Sequence, residues 1–123
     1  MSTRCQVKVT GTDINMADSH TLYHHCDGYP EYMLPTIAKG LIDSWQAGRI
    51  GKAAVMIASA DTTGYEMEQG HEIHGDIDYY YVVDVSNGNW IISVYDCPFD
   101  ANSIHDMTLI GTYSVEEAAN YSD

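Results

Sequence analysis

The run Ile73–Val85, Ser86-Asn87-Gly88-Asn89, Trp90–Asp96 constrains this chain more than any other stretch. Apolar and polar residues alternate along it, which is the two-residue period of a strand whose faces meet different surroundings. Asn-Gly between two such runs is the strongest short-range hairpin signal, because both central positions of a type I′ turn need positive φ. A two-residue loop at Asn87-Gly88 sets the pairing. Val85 opposes Trp90, Val83 opposes Ile92, and Tyr81 opposes Val94. All six then share one face, read as the core. The other face carries Asp76, Asp78, Tyr80, Val82 and Asp84, with Ile91, Ser93 and Tyr95 across from them. Tyr80 and Tyr95 are expected as a direct cross-strand pair of the kind that stabilises sheets.

Other elements fall into place around the hairpin. Arg4–Thr10 alternates, with Cys5, Val7 and Val9 on one side and Gln6, Lys8 and Thr10 on the other, a half-buried strand. Gly11 to Ser19 is turn-like. His20–His25 returns as a second strand, and Asp27-Gly28-Tyr29-Pro30 breaks it. Leu34, Ile37, Ala38, Leu41, Ile42 and Trp45 recur at helical spacing. Pro30 or Pro35 sits in the first turn, where a missing N–H costs little, and Gly48 serves as C-cap. Gly40 weakens the helix by about 1 kcal/mol relative to alanine, for which close packing against the sheet is an explanation. Lys52–Ala60 reads as a second short helix, with a strand over Ala54–Ala58 as the alternative, and Asp61–Gly70 reads as a polar loop. Cys97-Pro98-Phe99-Asp100 turns the chain, and Met107–Tyr113 is the last strand. Ser114 N-caps a final helix with Glu117 as its capping-box partner. The order β-β-α-α-β-β-β-α predicts one α+β domain over residues 1–123: an antiparallel sheet of four to five strands with two to three helices packed on one face.

Charge divides the chain unevenly. Arg4, Lys8, Lys39, Arg49 and Lys52 are its only lysines and arginines, and the residues after Lys52 carry Asp61, Glu66, Glu68, Glu72, Asp76, Asp78, Asp84, Asp96, Asp100, Asp106, Glu116, Glu117 and Asp123. A domain normally intersperses both signs over its surface. The C-terminal half therefore presents an anionic surface softened only by His71, His74 and His105. Such a surface repels nucleic acid and anionic membrane, and it attracts cations or a basic groove on another protein. A hydrophobic content of 45% is enough for a core, so the acids are not a disordered tail. No segment reaches the roughly 20 apolar residues of a membrane span, and Met1-Ser2-Thr3-Arg4 opens no signal-peptide run. Cys5, Cys26 and Cys97 lack Cys-x-x-Cys spacing and read as free thiols in a reducing compartment. Together these features predict a cytoplasmic protein. Ten tyrosines against one phenylalanine suit half-buried strands and interfaces, where the ring packs and the hydroxyl stays wet.

Several clusters invite a chemical reading, each with a plainer one beside it. His24, His25, Cys26 and Asp27 are metal-ligand types, and His71 and His74 would have to complete a site. Neighbours on a strand point to opposite faces, however, and the tight Cys/His pairs of four-ligand zinc sites are absent. The plainer reading is that Asp27-Gly28 turns the chain, Tyr29 packs on the sheet and Pro30-Glu31 starts the helix. His71 and His74 are three apart and lead into a strand, so they do not form the metalloprotease pair, which needs two histidines four apart on a helix. Asp76 and Asp78 share a strand face at roughly 6.6–6.8 Å along the chain, either an acid pair or a solvated face. Gly-x-Ser-x-Gly and the phosphate-cradling glycine loop are both missing. No cofactor is called for. The hairpin face remains: Asp76, Asp78, Tyr80, Asp84 and Tyr95, extended by Glu66, Glu68 and Glu72. Aromatic anchors ringed by charge describe a protein interface; the plainer reading is that helices cover this face or that it forms a homodimer seam.

Three patches resemble a family of small phage, prophage and bacterial proteins: the strand Met1 to Val9, the segment Tyr23-His24-His25-Cys26-Asp27-Gly28-Tyr29-Pro30-Glu31, and His74-Gly75-Asp76-Ile77-Asp78-Tyr79. The family brings no activity. What the resemblance implies is a setting among mobile-element accessory genes, where small acidic inhibitors of bacterial defence, anti-CRISPR proteins included, are common. The expectation is a non-enzymatic acidic inhibitor acting in the host cytoplasm. It would dock on a basic, nucleic-acid-binding defence effector as a partial charge mimic, without contacting nucleic acid or membrane itself. The alternative is a sponge for a nucleotide second messenger, using Arg4, Lys8, Tyr23, His25 and Tyr29. A metal-dependent enzyme is a second alternative, and a domain that merely forms a homodimer is the plainest one.

Overall fold

In a computed structural model of the chain, residues 4–10, 20–24, 28–46, 66–69, 73, 77–85, 90–98 and 103–121 are described, with backbone alone at 20, 24, 44–46 and 66–69. Strands run over Cys5–Thr10 (β1), His20–His24 (β2), Glu66–Gln69 (β3), Tyr79–Asp84 (β4), Ile91–Asp96 (β5) and Thr108–Ser114 (β6). Helices cover Pro30–Gln46 (α1) and Val115–Ala119 (α2), and a single 3₁₀ turn covers Ile104–Asp106. The strands form one sheet in the order β3-β2-β1-β4-β5-β6. The α+β class holds.

The hairpin pairs in the expected register, with Tyr81 opposite Val94, Val83 opposite Ile92, and Tyr80 opposite Tyr95. Its first strand is shorter than the pattern predicted, because β4 begins only at Tyr79. The Asn87-Gly88 turn, the Gly48 cap and the Lys52–Ala60 segment lie outside the described residues.

The sheet departs from expectation in two ways. It has six strands rather than four or five, because Glu66–Gln69, read as loop, pairs antiparallel with β2. Among Glu66, Met67, Glu68 and Gln69 only Met67 is apolar, so an edge strand there shows no alternation. Nor is the sheet wholly antiparallel: β1 runs parallel to β4, from Cys5 opposite Tyr79 to Thr10 opposite Asp84. Alternation reports which face a side chain occupies and is silent on strand direction. A parallel neighbour needs a long crossover, and the chain from Thr10 to Tyr79 supplies it.

The helices lie against one face. Met33, Leu34, Ile37, Ala38 and Leu41 of α1 are buried with Cys5, Val7, Val9, Leu22, Tyr81, Val83, Val85, Ile92, Val94 and Ala118 of α2. The spacing of the α1 residues is one helical stripe, although Ile42, expected within it, is 38% exposed. The Tyr29 carbonyl opens α1 by accepting from Tyr32 N at 3.0 Å and Met33 N at 2.9 Å. Pro30 is then the first helical residue, while Pro35 falls a turn later than the favourable site. At α2 the capping box is complete: Glu117 N donates to Ser114 Oγ at 3.1 Å, and Ser114 N donates to Glu117 Oε1 at 3.0 Å.

The second face, read either as an interface or as a face covered by other elements, is buried over part of its extent. Gln6 and Thr21 are fully buried there. Tyr23, Ile77, Tyr80 and Cys97 form a second apolar cluster against Ile73, Val82, Tyr95 and Met107. β1 lies inside the sheet with β2 and β4 as neighbours, and of its even-numbered residues Gln6 is buried while Lys8 and Thr10 are half-buried. The alternation sorted side chains by face correctly, and the polar character of one set did not keep it wet.

Tyr81 links sheet to helix. Its buried hydroxyl donates to the Gly28 carbonyl at 2.6 Å. Replacing Tyr81 by Phe leaves that carbonyl without this donor, and the expected loss in unfolding free energy is about 1–3 kcal/mol. Urea unfolding checks it: a Tyr81→Phe variant as stable as the parent would show that the link contributes nothing.

Candidate anionic docking site

Parallel pairing of β1 with β4 gathers several strand ends at one end of the sheet. Cys5 faces both His24 and Tyr79, Tyr79 faces Asp96, and Asp96 faces Thr108. The Tyr81–Gly28 hydrogen bond brings the start of α1 to the same end. Three tyrosines rise there from core to surface. The Tyr79 ring lies 6.4 Å from Tyr81 at an interplanar angle of 35°. The Tyr29 ring lies 5.9 Å from Tyr79, tilted by 59°. Tyr81 is buried, Tyr79 half-buried, and Tyr29 is 43% exposed.

Carboxylates from three separate segments lie within electrostatic reach of Tyr79: Glu31 in the first turn of α1, Asp78 just before β4, and Asp96 at the end of β5, all exposed. Their joint field is felt at Tyr79. Its phenol is pushed up first by burial, then by Asp96, by the neighbouring Tyr29, and by Glu31 and Asp78. The Cys97 thiol is likewise pushed up by burial, then by Asp96 and Asp78. Asp78 is held from both sides. Its N–H donates to the Arg4 carbonyl at 2.8 Å, its carbonyl accepts from Cys97 N at 3.0 Å, and its Oδ2 accepts from the Arg4 backbone N–H at 3.3 Å. Glu31 sits where the helix dipole favours a negative charge.

Three like charges near one aromatic ladder repel one another, and a cation placed among them relieves that repulsion. Tyrosine ring faces attract ammonium and guanidinium groups as well. Among the described residues no group of three or more His, Cys, Asp and Glu is set closely enough to hold a metal ion. An extended cationic side chain suits the spread of these carboxylates.

The residues expected at an interface on the hairpin do not form one patch. Asp78 belongs to the end just described. Asp84 closes the opposite end of β4, half-buried and facing Ile91. Tyr80, expected at the surface, is only 3% exposed, and its partner Tyr95 is half-buried. Both pack into the second apolar cluster with Tyr23, Ile77 and Cys97. Glu66 and Glu68 lie on β3 at the far edge, with β2 and β1 between them and β4. Asp76, Glu72, His25, Cys26, His71 and His74 lie outside the described residues. His24 ends β2 opposite Cys5.

The residues expected to bind a nucleotide do not converge either. Tyr23 is buried in the second-face cluster, whereas Tyr29 meets Tyr79 at the end of the sheet. Lys8 is half-buried on β1. Sequence reasoning passed over Glu31, Tyr79 and Asp96 as a group. One signal was present, since the hairpin register that pairs Tyr80 with Tyr95 also pairs Tyr79 with Asp96.

No protein-family model, curated protein or solved structure matches the chain. No helix among the described residues is long and apolar enough to cross a membrane.

Tyr80 makes the covering of the second face measurable. Burial, and then its neighbour Tyr95, raise its pKa from 10.0 to about 12. Because the folded value lies above the unfolded one, the unfolded chain loses this proton first as pH rises. The associated stability is complete below pH 10 and is lost between pH 10 and about 12. Urea unfolding across that range should show a steeper fall for the parent than for Tyr80→Phe. Equal slopes would mean that Tyr80 is solvated.

Proposed function

We propose that the protein is a non-enzymatic docking protein whose anionic sheet end receives a basic segment of a protein partner. The observation that carries this reading is the convergence of Glu31, Asp78 and Asp96, from three segments, around the Tyr29–Tyr79 pair. An arginine or lysine side chain entering there meets carboxylates for its charge and phenol rings for its flat or methylene surface. The net charge of −13 steers such a partner from a distance and speeds encounter.

The partner class that fits is a protein with a groove built for nucleic acid, since such grooves are lined with arginine and lysine for phosphates. Occupying the groove would exclude the nucleic acid sterically and by charge. With the likeness of its Met1–Val9, Tyr23–Glu31 and His74–Tyr79 segments to phage-borne proteins, this supports an anti-defence, anti-CRISPR-like inhibitor working in the host cytoplasm. The second-messenger sponge has less support, because Tyr23 and Tyr29 belong to different faces and phosphate groups need donors.

An octa-arginine peptide is the test probe, followed by calorimetry. Its affinity should fall by roughly tenfold or more between about 0.05 and about 0.5 M salt. The double change Asp78→Asn, Asp96→Asn should weaken it by a further roughly tenfold, equivalent to about 1.4 kcal/mol. Asp84→Asn, at the other end of β4, should leave it unchanged. Salt-independent binding, or equal weakening by all the aspartate changes, would contradict a localised site.

A further inference from the structure

β6 is the last strand in the sheet order, and one of its edges has no strand beside it among the described residues. Five of its seven residues are exposed, with Leu109 at 52% and Ile110 at 50%. An open edge offers alternate N–H and C=O groups to any extended chain that approaches. Proteins ordinarily blunt such edges with lysine, proline, an inward charge or a bulge. Thr108–Ser114 reads Thr-Leu-Ile-Gly-Thr-Tyr-Ser and has no charge and no proline. Among the described residues its guard is a bulge at Ile110, since Tyr95 faces Leu109 while Val94 faces Gly111.

The flanks are unlike the strand. Exposed Asp106 precedes it, and exposed Glu116 and Glu117 follow it. This pattern discriminates between occupants. A second copy pairing antiparallel about Gly111 would bring the end of β6 that Asp106 precedes toward the other copy's Glu116 and Glu117, and the two-fold axis would repeat that approach of like charges. Parallel pairing of two copies sets each acid beside its own counterpart. A foreign strand with an uncharged centre and a basic residue on each flank meets the opposite situation: backbone groups are satisfied along the middle and charges are matched at both ends.

We propose that the β6 edge is a second docking surface, which takes up an extended segment of a basic protein by strand addition, with lysine or arginine flanking an uncharged, β-prone centre. The surface adjoins the Tyr29–Tyr79 end only at the start of β6, where Thr108 faces Asp96, and from there the strand runs toward Ser114, which faces Ile91 at the other end of β5. It would accept such a segment whether or not that end binds a cation.

The probe is the peptide Lys-Lys-Thr-Val-Thr-Val-Thr-Lys-Lys, compared with its Glu-flanked counterpart and followed by amide NMR and hydrogen exchange. The Lys-flanked peptide should shift the amides of Leu109–Tyr113 and slow exchange of those that point outward by roughly tenfold or more. The Glu-flanked peptide should bind at least about tenfold more weakly. Ile110→Lys and Leu109→Lys, both at exposed positions, should each weaken the Lys-flanked peptide by roughly tenfold and leave octa-arginine binding unchanged. Three results would each overturn the proposal: no binding at about 1 mM peptide, shifts confined to the Tyr29–Tyr79 end, or a dimer of the free protein that Ile110→Lys abolishes. Failure of octa-arginine binding with β6 still engaged would count against the anionic end alone.

Discussion

The parallel pairing of β1 with β4 is the contact on which the other features depend. It puts β1, the earliest strand, inside the sheet and joins the β2–β3 pair to the β4–β5–β6 meander. With strands on both sides and covered faces, β1 buries Gln6 as completely as Cys5 and Val7. It also sets Arg4 against Asp78, through a backbone hydrogen bond at 2.8 Å and the Arg4 N–H donated to the Asp78 carboxylate at 3.3 Å. Without that junction Asp78 would be a residue in a loop, and the carboxylates near Tyr79 would have no common frame.

Tyrosine serves two purposes in this frame. Tyr80 and Tyr81 are neighbours on β4 and point to opposite faces, and both are buried. Tyr81 keeps its hydroxyl satisfied by Gly28, and Tyr80 stacks its burial on the cross-strand contact with Tyr95. Tyr79 and Tyr29 extend the same aromatic material outward to the acidic end. Ten tyrosines and a single phenylalanine fit this arrangement: the ring contributes apolar area while the hydroxyl finds a carbonyl or water. A phenylalanine at Tyr81 would fill the space and leave the start of α1 untied.

What could be read from the sequence was local. The Tyr80–Tyr95 pairing followed from turn length and period, and the Ser114–Glu117 box from four consecutive residues. The odd residues of β1 and the apolar stripe of α1 were legible for the same reason. Long-range pairing was not. Arg4 and Asp78 are 74 residues apart, and nothing in either segment names the other. The identity of Gln6 and Thr21 pointed to solvent, whereas their depth in the sheet decided burial. At the acidic end Asp78 was expected, and Asp96 was implicit in the hairpin register. Glu31 depended on where α1 would dock, which Tyr81 determines from another part of the chain.

β1 and β4 lie side by side and parallel, so that one end of the sheet collects Arg4, Asp78, Tyr79 and Asp96. Interstrand nuclear Overhauser contacts in the folded protein test it most directly. Parallel pairing gives backbone contacts from Cys5, Val7 and Val9 to Tyr79, Tyr81 and Val83, with chain positions rising together. Contacts in the antiparallel pattern, or a β1 with neighbours only in β2, would contradict it and disperse the acidic end.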